Sequence, residues 1–226
     1  MRERPILFGT KMVQAILDGR KTCTRRIVKP QPKTRLCYTL AGGGCRTWGY
    51  PSPFAYEIWG EGYKLPDDIT KEDLAKRWKP PYYSHDILYV RETWCSAYDG
   101  EKFFYLADKM TDREERLLLN YDDVKWHPSI HMPKGAARIW LKVIDVRIER
   151  LQDITEAGAA KEGCIDDIEY AKGKSARNHF IGLWNSTIKK SDMDIYGWSA
   201  NPWVWVIEFR RCEKPGKLSG KEEVTT

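Results

Sequence analysis

The stretch Gly19-Arg20-Lys21-Thr22-Cys23-Thr24-Arg25-Arg26 carries the most chemistry of any in this chain. A lysine whose charge is suppressed can activate a hydroxyl nucleophile, and a lysine in its ordinary state can hold a phosphate. Lys21 and Thr24 supply these two groups. In a regular strand they point to opposite faces, so joint chemistry requires a turn or bulge, which the neighbouring Gly19 permits. On residue chemistry alone, phosphate binding is the first reading and nucleophile activation the second.

Other constellations fall away on spacing. Gly173-Lys174-Ser175 has the ending of a phosphate-binding loop, but Ile168 stands where that loop needs its first glycine and no strand precedes it. Gly42-Gly43-Gly44 lacks a strand-to-helix setting and reads as a flexible turn. His127 and His131 are four apart, yet Pro128 and Pro133 forbid the helix that would aim both at one metal. Cys37 and Cys45 have no second Cys or His pair at short spacing, and His85-Asp86 and His179 have no serine or cysteine elbow. Neither a metal nor a cofactor is expected.

Charge placement says more than the net charge of +6. From Met1 to Arg35, ten Lys or Arg stand against Glu3 and Asp18, while the rest of the chain holds 28 basic and 30 acidic residues. Such a segment suits an anionic partner, RNA or DNA, because basic side chains neutralise phosphates and release counterions; the plain alternative is a solvated basic face. Ten tryptophans and twelve tyrosines offer stacking surfaces for bases, although most belong in a core. No apolar run approaches the roughly 20 residues of a membrane helix, so no membrane partner is expected. Met1–Gly9 lacks the apolar stretch of a signal peptide, and the six cysteines are scattered. Reduced thiols and a cytoplasmic location are therefore expected.

The elements that must position these groups can be read from periodicity. Thr10 caps a helix through Asp18 whose apolar face is Met12, Val13, Ile16 and Leu17, and Gly19 stops it. Arg20–Val28 is extended. Seven prolines between Lys29 and Pro81 mark an insertion at about 30–82, with a helix over Ile69–Trp78. Asp86–Trp94 is a strand with Leu88, Val90, Glu92 and Trp94 on one face. A carboxylate there either lines a pocket or, at a strand end, meets solvent or an arginine. A second insertion, at about 99–135, holds a short helix over 112–119. Arg138–Leu151 is the longest strand, and its apolar phase flips from Ile139, Leu141 and Val143 to Ile144, Val146 and Ile148, the mark of a bulge or bend that curls a sheet. Asp153 caps a helix through Lys161 with Glu156 at N3, and Ser175–Thr187 forms another that buries Phe180, Leu183 and Trp184. Pro202–Phe209 is a strand buried on both faces at its start, and 213–226 is a polar, disordered tail. These elements give an α+β small β-barrel with flanking helices and two loop-rich insertions, one domain over residues 1–212.

Several of these segments, in order, resemble the ASCH family of the PUA-like superfamily, in the longer form met in bacteriophages and prophages. Gly19-x-Lys21-x-x-Thr24-x-Arg26 is similar to the family signature, which has Glu in many members where Thr24 stands. Asp86–Glu92, Leu151–Glu156 and Trp205–Phe209 resemble later segments, with His85 in place of the usual Gly. Threonine at the signature's sixth position is similar to the bacterial amidohydrolases that deacetylate N(4)-acetylcytidine. That resemblance implies a catalytic set of Lys21, Thr24 and a glutamate falling on Glu162, with Glu156 the less favoured choice. Lys21 would activate the Thr24 hydroxyl for attack on the amide, and Glu162 would protonate the departing amine. Arg20, Arg25, Arg26, Arg91 and Glu92 would face the nucleic acid or modified nucleoside. The resemblance also allows a module that binds RNA or DNA without catalysis, and, third, a metal-independent ribonuclease.

Overall fold

The computed structural model describes residues 2–31, 36–40, 44–48, 78–97, 102–108, 125–165 and 172–216. The helices expected over 69–78 and 112–119 and the tail from 217 lie outside the described residues. The class is α+β. A five-stranded sheet runs in the order β1-β5-β8-β9-β2, from β1 (Glu3–Leu7) through β5 (Ile87–Arg91), β8 (Trp140–Arg150) and β9 (Trp203–Cys212) to β2 (Cys23–Ile27). Two antiparallel pairs accompany it: β3 (Leu36–Leu40) with β4 (Gly44–Trp48), and β6 (Trp94–Ala97) with β7 (Lys102–Tyr105). The helices are α1 (Thr10–Leu17), α2 (Glu156–Ala160), α3 (Ala176–Thr187) and α4 (Met193–Tyr196).

By contacts the chain divides into two compact units. The first comprises Met1–Gln14, His85–Val143 and Phe209–Thr226, and the second Ala15–Ser84 and Ile144–Glu208. In the first, Ile87, Met132, Ala136, Ala137 and Trp140 form a core against which Tyr89, Trp94, Phe103 and Tyr105 pack. In the second, Leu151, Ile154 and Ala159 around α2 meet Phe180 and Trp184 of α3 and Val204 and Val206 of β9. The long strand β8 changes its buried parity along its length, as the apolar pattern predicts. Leu141 and Val143 are buried before the change and Ile148 and Arg150 after it, but Ile144, expected to open the second phase, is 47% exposed. Two consecutive exposed residues, Ile144 and Asp145, mark the change.

Local chemistry moves three boundaries. The Gly9 carbonyl accepts from Met12 N–H and Val13 N–H, so Gly9 rather than Thr10 holds the cap position of α1. Asp153 lies in a short 3-10 turn, and Thr155 caps α2 by accepting from Gly158 N–H at 3.0 Å. Glu156 therefore starts α2 instead of completing a capping box. Its carboxylate reaches the N-terminus of α3, accepting from Ala176 N–H, Arg177 N–H and the Ser175 hydroxyl. The strand expected over Asp86–Trp94 breaks at Glu92 and Thr93, and Trp94 restarts as β6. Its partner β7 lies in the segment expected to be loop-rich; the run Lys102-Phe103-Phe104-Tyr105 after Asp99-Gly100 is the hairpin signal that would have placed it.

Two glycines give opposite expectations for substitution by alanine. Gly163 has φ +72°, and a Cβ there would meet Ala15 Cβ at 2.7 Å and Lys21 Cβ at 2.8 Å. Gly182 lies inside α3 with nothing near the position of a Cβ. Thermal denaturation of Gly163→Ala is expected to show a loss of about 1–3 kcal/mol from the left-handed conformation alone, while Gly182→Ala gains about 0.5–1 kcal/mol.

Candidate functional site

The second unit builds a charged cluster around Glu162. After α1, Gly19 at φ +78° reverses the chain, and Lys21 N–H returns to the Ala15 carbonyl at 2.9 Å. Thr22 N–H and Cys23 N–H then both donate to the Lys161 carbonyl, at 2.9 and 3.2 Å. Arg20 adds bonds to the Gly163 and Ile165 carbonyls at 3.3 and 3.2 Å, besides an ion pair with Asp18 at 2.8 Å. Residues 20–23 are thus laid along the turn that follows α2, and Gly163 lets that turn approach closely.

Lys21 enters this turn with its side chain 2% exposed. Its Nζ donates to Glu162 Oε2, the Glu162 carbonyl and the Cys23 carbonyl, each at 2.8 Å. Those three acceptors match the three donors of an ammonium. Arg25, 4% exposed at its side chain, donates to Glu162 Oε1 at 3.0 Å and lies 3.6 Å from Glu149. Two cations and two carboxylates therefore balance within the cluster, which is how buried charge becomes tolerable. Glu149 also binds Arg147 at 2.7 Å, and Arg147 reaches Asp145 at 2.9 Å and Glu208 at 2.7 Å.

Of the residues expected to act together, the structure joins Lys21 with Glu162, 141 positions apart, and assigns Glu156 to the cap of α3. Lys21 precedes β2, and Thr24 lies within it. In β2 it pairs with Ile207, and because Cys23 and Arg25 turn toward Gly158 and Glu162, Thr24 projects from the opposite face with half-buried Arg26. The β2–β9 register is regular from Cys23 onward, whereas the donation of Thr22 N–H and Cys23 N–H to one carbonyl marks an irregular backbone between Lys21 and the strand. Lys21 and Arg25 are also withdrawn from any solvated basic face, whereas Lys11 and Lys29 are exposed. Burial, followed by the nearby Glu162 charge, pushes the Cys23 thiol up to about 12 and the Cys164 thiol to about 11.

Arg91 and Glu92 belong to the first unit. Arg91 donates to the Ile130 carbonyl at 3.1 Å. Glu92 is 1% exposed and meets an arginine at the strand end, one of the outcomes the strand pattern allows. Arg138 donates to it through Nε and Nη2, both at 3.0 Å, and through Nη1 to Asp108 at 2.7 Å. Burial raises the Glu92 pKa against the opposing effect of Arg138. The Arg138 guanidinium also lies 4.0 Å from the centre of the Tyr105 ring. Sequence reasoning missed Arg138, Asp108 and Tyr105; the inward position of Glu92 signalled a cationic partner without naming it.

No protein-family model and no curated protein matches the chain. Among solved structures it is similar to the ASCH domain from Lactobacillus crispatus JV V101, with 11% identity over 93% of this chain and 79% of that one, at a TM-score of 0.33.

Two outcomes check the geometry of the second unit. Glu162→Ala leaves Lys21 and Arg25 without their shared carboxylate, and denaturant unfolding is expected to show a loss of about 3–5 kcal/mol. At pH 8 a thiol with a pKa of about 11 is about one part in a thousand thiolate. Peptide-resolved alkylation should accordingly leave Cys23 and Cys164 unmodified in the native protein and modify both after unfolding.

Proposed function

We propose that the protein is a nucleic-acid-handling module of the ASCH type that recognises its ligand without cleaving it. The observation that carries this reading is the closed Lys21–Glu162–Arg25 cluster. Lys21 donates to three acceptors, its side chain is 2% exposed, and Glu162 bridges it to Arg25. A general base must be within hydrogen-bond reach of the proton it removes, and these contacts of Lys21 run to Glu162 and the Cys23 carbonyl. The motif resemblance and the exposed lysines of the basic opening segment support nucleic acid as the partner class.

A second reading is favoured by one observation, the 2.8 Å contact between Lys21 and Glu162. It makes the protein an amidohydrolase on N(4)-acylated cytidine or a related modified base, with Lys21, Thr24 and Glu162 as the acting set. Incubation with N(4)-acetylcytidine separates the two. No turnover is expected, together with binding of labelled single-stranded RNA or DNA that weakens steeply as salt rises. Turnover abolished by Lys21→Ala and by Thr24→Ala would replace recognition by hydrolysis. RNA cleavage without metal, lost in Lys21→Ala, would point to the ribonuclease instead. No binding at low salt would remove nucleic acid altogether.

A further inference from the structure

Arg138 in the first unit is held in an unusual way for a residue that is still accessible. Glu92, almost fully buried, grips Nε and Nη2 in a bidentate pair, and Asp108 takes Nη1. These acceptors fix the guanidinium in its own plane. Tyr105 covers one face, with its ring centre 4.0 Å from Cζ. The ring is itself tethered, because the Tyr105 hydroxyl donates to the Ala136 carbonyl at 2.6 Å. Yet the Arg138 side chain is 28% exposed. Tyr105 on one face and three engaged N–H groups leave the opposite face and two N–H groups of the guanidinium uncontacted by these three residues.

We propose that this outer face of Arg138 is a stacking platform for a single unpaired nucleobase, one that bears an exocyclic amino group. This rests on the nucleic-acid reading and names its ligand. A flat, delocalised cation already stacked on tyrosine extends the stack by one further ring without needing to be ordered at binding. Two carboxylates against one guanidinium make the locality unfavourable for a phosphate, so the ring rather than the backbone is what it accepts. Asp108 sets the preference among rings. Arg138 engages its Oδ2, and the side chain is 41% exposed, which leaves acceptor capacity at the rim of the platform. An amino group of adenine, cytosine or guanine can donate there; uracil presents no amino group.

Isothermal titration of the full chain with adenosine, cytidine, guanosine, uridine and ribose 5-phosphate tests this, alongside binding of short single-stranded oligonucleotides. The amino-bearing nucleosides should bind more tightly than uridine, and ribose 5-phosphate should not bind. Arg138→Lys, which keeps the charge and loses the plane, should weaken nucleoside binding about tenfold. Asp108→Ala changes a rim residue and should erase the preference over uridine while the thermal melt stays near that of the parent. Oligonucleotide binding that persists with both variants unchanged would overturn the platform and leave the nucleic-acid reading standing. Equal binding of uridine, or binding of ribose 5-phosphate, would also overturn it. Failure of every nucleoside and oligonucleotide to bind would remove both. Tighter binding of tyrosine- or tryptophan-containing peptides than of nucleosides would reassign the face to a protein partner. A source test follows from the same data: a free nucleoside that binds as well as an oligonucleotide marks a nucleoside site, and a much tighter oligonucleotide marks a base within a strand.

Discussion

Removing a lysine and an arginine from water is expensive, and the second unit is organised around the carboxylate that makes it possible. Glu162 gives one oxygen to Lys21 and the other to Arg25. The geometry leaves little latitude. Lys21 must reach its partner from a reversed segment after α1, Arg25 from β2, and Glu162 from a turn that only Gly163 allows to lie so close. Each of these three local features would be unremarkable alone. Together they dock the opening segment onto α2 by backbone and side chain at once, so the ion cluster and the chain path specify each other.

The first unit uses a related device with a different outcome. Glu92 is as deeply buried as Glu162, but it gives both oxygens to a single guanidinium. The difference lies in what covers the cation. Arg25 is sealed, whereas the Arg138 side chain stays partly exposed beside a tethered tyrosine. A sealed ion pair organises the chain around it. A half-open one, fixed at its edge, presents a defined surface. The same pairing of carboxylate with guanidinium thus serves packing in one place and is suited to recognition in the other.

Legibility in the sequence follows the range of the physics involved. Periodicity is local, and it placed α1, β2, β8, α3 and β9 and the parity change in β8. Capping depends on one hydrogen bond among close competitors, and Thr155 took the role expected of Asp153 because its hydroxyl meets Gly158 N–H. The short β6–β7 pair was masked by polar flanks despite its aromatic run. The pairing of Lys21 with Glu162 came through family resemblance, since no local rule links positions 141 apart. Arg138 could not be assigned to Glu92 for the same reason: an inward carboxylate requires a cation but does not say which of many.

Counting charge was informative about where basic residues cluster and misleading about what they face. Lys21 and Arg25 contribute to the positive excess of the opening segment, yet both are buried among carboxylates drawn from positions 149 and 162. A one-dimensional excess of charge measures attraction only for side chains that remain in water. Thr24 makes the complementary point about motifs. Its residue type and spacing suit a nucleophile beside Lys21, and alternation within β2 sets it opposite Cys23 and Arg25, while Lys21 lies in the irregular segment before the strand. Catalysis depends on the distance between groups, and in a strand a single step in sequence reverses direction.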